Sequence, residues 1–160
     1  LNQFLPHPSL IMTNQTPEKM HGTCVEVDGL GVLLCGPPGS GKSDLALRLI
    51  DEGARLIADD YTELSVDNGK LSARAPEPIK DLIEVRGVGV LKIGAALQAE
   101  LGVVIDLDMA GDVERLPDDE TVELLGLPVA RFCLAPFEAS APAKVRLIVR
   151  RVKGDIVHVP

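Results

Sequence analysis

The chain has 160 residues, 46% of them hydrophobic, which suits one domain with its own core and leaves little length for a second. Its formal net charge is −8 and only 2% of its residues are aromatic, so nucleic acid is not an expected partner. No apolar run is long enough to span a bilayer and the N-terminus lacks a signal peptide's pattern, so we expect no membrane association and a cytoplasmic location.

The cysteines and the N-terminal segment set two further expectations. Cys24, Cys35 and Cys133 lie singly in apolar stretches without CxxC spacing, which predicts buried reduced thiols rather than disulfides or a zinc site. Segment 1–19 is polar and lacks periodicity, so we expect it to be disordered or foreign to the natural chain. The domain is then expected to comprise residues 20–160.

The first half of the domain predicts a hairpin followed by a helix. Residues 24–27 alternate in hydrophobicity, Asp28-Gly29 is typical of a tight turn, and 31–35 is a short apolar run. Within 43–52, apolar side chains recur at i,i+4 spacing, which predicts an α-helix. A glycine-rich loop therefore lies between a buried strand and a helix.

The rest of the chain predicts further strands and one closing helix. Strands are expected at 55–58, 62–66, 70–73, 79–85, 103–107, 121–125 and 129–134. The turn signal Asn68-Gly69 joins two of them in a hairpin, so the sheet should be mixed. A final helix over 144–152 is expected to place Leu147 and Ile148 inward. Strands alternating with helices after a phosphate loop indicate an α/β domain.

One motif carries a specific chemistry. The run 36–43 satisfies the phosphate-loop pattern GxxxxGK[ST] in full, between a predicted strand and a predicted helix. Its glycines let successive backbone N–H groups face a phosphate, Lys42 neutralises the terminal phosphates, and the Ser43 hydroxyl can reach Mg²⁺. Nucleotide binding is therefore expected at Gly36, Pro37, Pro38, Gly39, Ser40, Gly41, Lys42 and Ser43.

Two acidic positions compete for a role beside the phosphate loop. Asp59-Asp60 end the predicted strand that follows the helix, whereas Asp106 ends an apolar run and fits an ordinary Walker B pattern. Two adjacent carboxylates can divide the work, one holding the metal while the other accepts a proton from an attacking hydroxyl. The pattern leaves both positions open. No Asn-Lys-x-Asp element of the kind that reads guanine occurs, which ranks ATP above GTP.

Four motifs follow one another along the domain. They are Met20-His21-Gly22, the phosphate loop, the run 56–60 (Leu-Ile-Ala-Asp-Asp) and the signature Glu84-Val85-Arg86-Gly87-Val88-Gly89-Val90. Together they resemble the catalytic domain of the HPr serine kinase/phosphorylase family, and the Glu-x-Arg-Gly-x-Gly element is the most diagnostic. The resemblance covers residues 20–153. It implies a phosphate-loop kinase with a mixed sheet, of the HPr kinase and phosphoenolpyruvate carboxykinase-like fold, without the family's separate N-terminal domain.

The resemblance implies roles for the residues that handle the nucleotide. The phosphate loop with Lys42 is expected to bind the ATP phosphates, and Ser43 with Glu84 is expected to ligate Mg²⁺. Glu84 also opens the signature loop, whose other characteristic members are Arg86, Gly87 and Gly89.

Four further residues are implied in the chemical step. Asp60 resembles the general base that deprotonates the acceptor serine, with Asp59 as its supporting neighbour. His21 matches a family active-site histidine, and Arg115 resembles the arginine that stabilises the transferring phosphoryl group. The match at Arg115 is looser, because this chain is shorter than the family between Gly94 and Arg115.

The same resemblance implies a substrate and an assembly. The expected reaction transfers phosphate from ATP to a serine of the phosphocarrier HPr or an HPr-like carrier. This transfer is expected to regulate carbon or nitrogen metabolism. The expected assembly is a homo-oligomer, which in the family is a hexamer. One stretch departs from the pattern: the family's Arg-Pro-Gly-Arg-Asn run, tied to the reverse phosphorylase reaction, is Leu-Ala-Pro-Phe-Glu-Ala-Ser at 134–140. Those arginine and asparagine side chains would donate hydrogen bonds to inorganic phosphate. Without them, the kinase direction is expected rather than the phosphorylase direction.

Two other functional classes remain open on sequence alone. A small-molecule kinase would use the same loop and carboxylates, although such enzymes usually carry an arginine-rich lid, and the arginine cluster here lies at 146–151 on the closing helix. A nucleotide-sensing module would need binding alone, and the acidic residues are more than binding demands. Loss of transfer in Asp60→Asn would separate an enzyme from a sensor.

Overall fold

The computed structural model describes residues 16–160. Within these residues the chain forms strands, two α-helices and a 3-10 turn at Glu77–Ile79. The strands are β1 (Glu18–His21), β2 (Thr23–Val27), β3 (Leu30–Cys35), β4 (Arg55–Ala58), β5 (Tyr61–Asp67), β6 (Lys70–Arg74), β7 (Leu82–Val85), β8 (Gly89–Lys92), β9 (Ala99–Leu107), β10 (Glu120–Leu124) and β11 (Leu127–Leu134). The helices are α1 (Lys42–Asp51) and α2 (Ala141–Val152). Neither of these helices is long and apolar enough to cross a membrane.

A mixed sheet is built around the long strand β9. Its order is β1-β5-β6-β9-β3-β2-β4, and β11, which carries β10 on its other edge, pairs with the C-terminal half of β9. Strands β3 and β11 run parallel to β9, whereas the other strand pairs of this sheet are antiparallel. The predicted mixed sheet is confirmed. The phosphate loop follows the C-terminal end of β3, the end at which α/β sheets bind ligands.

The core consists of two apolar clusters on opposite faces of the sheet. Val32 and Leu34 of β3 belong to the cluster covered by α1 and α2, and Leu33 belongs to the cluster that includes side chains of β5 and β6. Burial on both faces explains why β3 is continuously apolar instead of alternating. Helix α1 packs through Leu45 and Leu49, the i,i+4 positions that predicted it.

Both predicted hairpin turns are confirmed. Each has two central residues with positive φ, at 49° and 84° in Asp28-Gly29 and at 50° and 76° in Asn68-Gly69. This geometry matches the right-handed twist of the flanking strands, and Asn, Asp and Gly adopt it at low cost. The turns therefore set the register of β2 against β3 and of β5 against β6.

The closing helix differs from its prediction in two ways. It begins at Ala141 instead of residue 144, because Pro142 lies in the first turn, where its missing N–H needs no partner. Ile148 is buried as predicted, but Leu147 is 50% exposed, so its predicted inward position was wrong. Val145 completes the buried face three residues before Ile148, and Leu147 lies off that face.

The first strand begins before the predicted domain boundary. β1 starts at Glu18, two residues before position 20, and pairs antiparallel with β5 so that His21 lies opposite Tyr61. Glu18 and Lys19 therefore belong to the folded domain. The remaining expectation for the N-terminal segment concerns residues 1–15, which lie outside the described residues.

The three cysteines are free thiols, as predicted, but they are not all buried. Cys24 is buried, Cys35 is partly buried and Cys133 is exposed, so the prediction was wrong for Cys133. Side chains alternate along β11, and since Leu134 turns inward Cys133 points outward. Burial raises the pKa of Cys24 far above its usual range and raises the pKa of Cys35 to about 11.

Thiol labelling tests this difference in burial. In the native chain at mildly alkaline pH, we expect iodoacetamide to modify Cys133 and to spare Cys24 and Cys35, because the thiolate is the nucleophile and burial suppresses it. Partial burial together with Asp108 and Asp106 raises the pKa of Cys133 as well, so its reaction should be slower than that of a free thiol. Peptide mapping locates the adduct, and urea-unfolded protein should react at all three sites. Fast native labelling of Cys24 would contradict its burial.

Candidate active site

The phosphate loop connects β3 to α1 and lines a cleft of about 460 Å³, a volume typical of small-ligand sites. The loop side of the cleft is formed by Pro38, Gly39, Gly41, Lys42 and Ser43. Other elements contribute Asp59, Asp60, Glu84 and Arg86. The structure therefore brings most of the predicted site residues to one place.

Lys42 is held inside the loop and is only 6% exposed. Its Nζ donates hydrogen bonds to the carbonyl oxygens of Gly36 at 2.7 Å and Pro37 at 3.1 Å. Gly41, with φ 93°, precedes the first turn of α1, and its carbonyl accepts from the N–H of Leu45 at 2.9 Å. An ammonium group and a helix N-terminus therefore meet at the same loop, an arrangement that suits phosphate.

The Asp59 carboxylate is the centre of a hydrogen-bond network and is 8% exposed. Its Oδ1 accepts from the hydroxyl of Ser43 at 2.7 Å and from the hydroxyl of Thr23 at 3.2 Å. Its Oδ2 accepts from the backbone N–H of Glu84 at 3.0 Å. Asp59 thereby joins α1, β2 and β7, which are far apart in the sequence.

Asp60 adopts a left-handed backbone conformation, with φ 66°. Its N–H donates to Oγ1 of Thr23 at 3.0 Å, and its carbonyl accepts from the N–H of Gly22 at 2.7 Å. Oδ1 of its carboxylate lies 2.9 Å from Nε2 of His21. A non-glycine residue held firmly in this conformation is a common feature of functional sites.

His21 reaches Asp60 because the chain passes from β1 to β2 through a single glycine, Gly22. The imidazole packs at a tilt on the ring of Tyr61, with 5.2 Å between ring centroids. Gly22 carries the chain into β2 through a space that admits no side chain, since a Cβ there would lie 2.9 Å from Cδ1 of Leu33. Glycine at this position therefore lets the preceding histidine stand beside the aspartate.

The sequence did not single out Thr23, which the structure places between the two aspartates. Its hydroxyl donates to Asp59 and accepts from the N–H of Asp60, and the residue is fully buried. The one signal available in the sequence was a polar residue at the start of the apolar strand β2. That signal is weak, because threonine is common in strands.

The structure distinguishes the two acidic positions that the sequence left open. Asp59 and Asp60 line the cleft, whereas Asp106 does not. Asp106, at the end of β9, forms an ion pair with Arg131, and this hydrogen bond raises the pKa of Arg131. Glu120 lies 3.7 Å from the same guanidinium. Asp106 is therefore engaged in a structural ion pair instead of facing the phosphate loop.

The signature run forms a hairpin at the edge of the cleft. Strands β7 and β8 pair antiparallel as a separate two-stranded sheet, and Gly87 and Gly89 take φ of 84° and 127° where the chain reverses. Glu84 and Arg86 line the cleft. Arg86 therefore adds a second positive charge to the cleft that contains Lys42.

The structure does not bring Arg115 to this cleft. Arg115 is exposed in the irregular segment between β9 and β10 and is not among the residues that line the cleft. No strand or helix contains it, so its position is set by the loop alone. Its implied catalytic role gains no support from the geometry.

The oxygen donors in the cleft suit a hard divalent cation. Ser43 offers a hydroxyl, and Asp59 and Glu84 offer carboxylates. Across residues 16–160, no group of three or more His, Cys, Asp or Glu side chains is arranged to hold a metal ion by itself. The hydroxyl and the carboxylates of the cleft fit Mg²⁺ bound with a nucleotide, because Mg²⁺ usually takes one or two carboxylates and completes its shell with phosphates and waters.

Fold and cleft together define the class of protein: a phosphate-loop α/β domain with a carboxylate–histidine pair beside the phosphate site. A family model described as the HPr Serine kinase C-terminal domain matches residues 13–134. The chain therefore belongs to the HPr serine kinase C-terminal domain family, as its motifs predicted.

Individual relatives agree with this assignment. The HPr kinase/phosphorylase of Aromatoleum aromaticum is 40% identical over 152 residues, covering 81% of this chain and 49% of that protein. The HPr kinase/phosphorylase of Thermoanaerobacter sp. (strain X514) is 41% identical over 112 residues, covering 68% and 36%. The structure of the Hpr(Ser) kinase/phosphatase from Coxiella burnetii matches with a TM-score of 0.77 at 25% identity, over 86% of this chain and 92% of that one. The predicted fold is confirmed, and the chain spans half or less of the length of these curated relatives.

Proposed function

We propose that this domain transfers the terminal phosphoryl group of ATP to a serine of HPr or an HPr-like carrier protein. The proposal is based on the Asp60 carboxylate, which lies in the phosphate-loop cleft, 2.9 Å from His21, and does not hold the loop itself. A module that only binds nucleotide needs Lys42 and the loop, and has no use for a second carboxylate beside Asp59. The names of the curated relatives support HPr as the substrate.

The proposed mechanism assigns charge neutralisation and proton transfer to different side chains. Lys42 and Arg86 neutralise the phosphates, and the N-terminus of α1 adds its dipole. Asp60 accepts the proton of the attacking serine hydroxyl. His21, bonded to Asp60 Oδ1, orients the carboxylate for that transfer. In-line phosphoryl transfer depends mainly on such positioning and on charge stabilisation.

Mg²⁺ is the proposed cofactor, with Ser43 and Glu84 as its protein ligands. When bound it supplies positive charge that stabilises the transferring phosphoryl group. Asp59 holds the Ser43 hydroxyl at 2.7 Å and the Glu84 backbone at 3.0 Å, so one buried carboxylate positions both ligand residues. Loss of Asp59 would therefore disturb the metal site from two sides.

The kinase direction is proposed over the phosphorylase direction. The segment 134–140 contains no arginine or asparagine that could hold inorganic phosphate, and Arg48 donates to the carbonyl oxygens of Pro136 and Glu138. Reversal needs donors for the incoming phosphate. Adding inorganic phosphate to the modified carrier should therefore restore little unmodified protein.

A homo-oligomer, hexameric by resemblance, is the proposed assembly. Val88 and Val90 on the β7–β8 hairpin are 68% and 65% exposed, which leaves neighbouring apolar side chains in contact with water. Contact with another subunit would remove that exposure. Light scattering on the purified chain measures the assembly directly, and a monomeric mass would contradict it.

The proposed activity is tested with the purified chain, ATP, Mg²⁺ and the HPr-like protein of the same organism. The carrier should gain one phosphoryl group on a serine, read by intact mass and peptide mapping. A carrier with that serine replaced by alanine should gain none. Bound ATP without carrier modification would show the proposed substrate to be wrong, and transfer to a small-molecule acceptor would favour the second class of kinase.

Thr23→Val tests the positioning network. We expect the free energy of unfolding to fall by about 1–3 kcal/mol, because a part-buried N–H and a buried carboxylate each lose a partner. We also expect kcat to fall, since the backbone of Asp60 is released. KM for ATP should change little, because Asp59 keeps its hydrogen bonds to Ser43 of the phosphate loop and to Glu84. Thr62→Val is the matched control: its hydroxyl is equally buried but bonds the Gly22 carbonyl at 3.0 Å. An equal loss of kcat in both variants would contradict a special role for Thr23.

A further inference from the structure

The loop that follows β11 is fastened to α1 by Arg48. The guanidinium of Arg48 donates to the carbonyl oxygens of Pro136 and Glu138, the residues on either side of Phe137. Arg48 is itself held by Asp44 on the preceding turn, with Nε 3.1 Å from Oδ2. The backbone on either side of Phe137 is therefore held in place by hydrogen bonds from Arg48.

Phe137 lines the same cleft as the phosphate loop, yet it is 58% exposed. The tip of its ring lies against the loop backbone, because a Cβ on Gly41 would be 3.0 Å from Cζ of Phe137. The other described Tyr and Phe rings have different neighbours: Tyr61 packs beside His21, and Phe132 lies under Arg151. Among the Phe and Tyr rings of residues 16–160, Phe137 lines the cleft, whereas Tyr61 and Phe132 do not.

We propose that Phe137 is the platform on which the base of the bound nucleotide stacks. The inference rests on the proposed nucleotide binding and extends it from the phosphates to the base. Asp44 and Leu47 also line the cleft, so the cleft continues past the phosphate loop along α1, on the helix from which Arg48 fastens the Phe137 loop. A nucleotide whose phosphates lie at Lys42 projects its sugar and base away from the loop, and this ring is the aromatic surface that the described cleft offers to a flat base.

Stacking on an open ring has defined consequences for ligand choice. The face of a purine gains contact area on an aromatic ring, whereas an inorganic polyphosphate gains none. The low aromatic content of the chain makes binding of nucleic acid unexpected, because a strand needs several stacking rings. A single nucleotide needs only one ring for its one base, so the same content is compatible with this site. The cleft should therefore take a nucleoside triphosphate in preference to tripolyphosphate.

Phe137→Ala separates the base from the phosphates. We expect the Kd for ATP to rise by about 5- to 160-fold, the range that corresponds to loss of one base–aromatic stack. The Kd for tripolyphosphate should stay within about twofold, because Lys42 and the loop are unchanged. Calorimetry with both ligands, each with Mg²⁺, measures the two values. Thermal unfolding of the variant checks that the fold is intact.

A fluorescent variant tests the same contact without removing the ring. The chain contains no tryptophan, so Phe137→Trp places a single reporter at the proposed platform. ATP should quench its emission and tripolyphosphate should not. Leu147→Trp, at a half-exposed position on α2 outside the cleft, is the control in which ATP should change nothing.

The outcomes distinguish the inference from the function on which it rests. Equal weakening of both ligands in Phe137→Ala would mean that the ring shapes the phosphate loop instead of stacking the base, and unchanged ATP binding would mean that the base lies elsewhere. Either result overturns the platform and leaves the phosphate site standing. If the wild-type chain binds neither ligand, the proposed function fails and the platform fails with it.

Discussion

Asp60→Asn should lower the rate of phosphoryl transfer to the carrier by about 10²- to 10⁴-fold and leave the affinity for ATP nearly unchanged. Asparagine keeps the size of the side chain and tolerates the φ of 66° found at Asp60, but its amide cannot take the proton of the attacking serine. The phosphate loop should be unaffected, since the Asp60 side chain bonds His21 and not the loop. Single-turnover transfer and calorimetric ATP binding measure the two effects separately.

Asp81→Asn is the matched control for this substitution. Asp81 also has φ 66°, so the control repeats the same chemical change on the same backbone conformation, at a residue that does not line the cleft. Its transfer rate should equal that of the wild type. If Asp60→Asn transferred phosphate as fast as Asp81→Asn, Asp60 could not be the base and the assignment would have to be given up.

The parts of the fold that the sequence predicted well depend on local signals. The phosphate loop is one continuous motif, α1 is shown by i,i+4 spacing, and the hairpin at Asn68-Gly69 is coded by its two turn residues. Each of these features is determined by residues that lie within a few positions of one another in the sequence. The pairing of β3 with β9 is not local, but the apolar runs on both strands follow from their burial on two faces.

The contacts within the site that the sequence could not predict join residues that are distant along the chain. Thr23 meets Asp59 across 36 positions of sequence, and His21 meets Asp60 across 39. Such contacts require the register of β1 against β5 and of β2 against β4, which no short motif specifies. The family resemblance supplied His21 because its motif is continuous, whereas Thr23 follows that motif and had no such support.

The positions of loop residues could not be predicted from the sequence for a related reason. Arg115 was implied by a loose match in a segment where the chain is shorter than the family, and the structure leaves it exposed there. Phe137 drew attention only as part of a departure from the family pattern, because nothing in the sequence shows that Arg48 bonds both neighbouring carbonyls. In loops, side-chain position follows from such tertiary bonds and not from periodicity.

Lys42→Met should weaken ATP binding by about 10- to 150-fold, the equivalent of one charged hydrogen-bond partner. It should also lower the transfer rate by about 10²- to 10³-fold, because the charge that stabilises the transferring phosphoryl group is lost. Methionine keeps the unbranched stem and removes only the ammonium group. Lys70→Met is the control, since Lys70 forms a 3.8 Å surface ion pair with Glu100, and such pairs contribute little.

Lys42→Arg shows whether charge alone is sufficient. The wild-type lysine is 6% exposed, and its ammonium group fits between two loop carbonyls at 2.7 and 3.1 Å, a space matched to a compact group with three donors. A planar guanidinium is larger and presents its donors in a fixed fork, so we expect it to distort the loop and to restore little of the transfer rate. Recovery of more than about half of the wild-type rate in Lys42→Arg would mean that the cleft needs only a positive charge, and that the close fit of Lys42 in the loop is not required for catalysis.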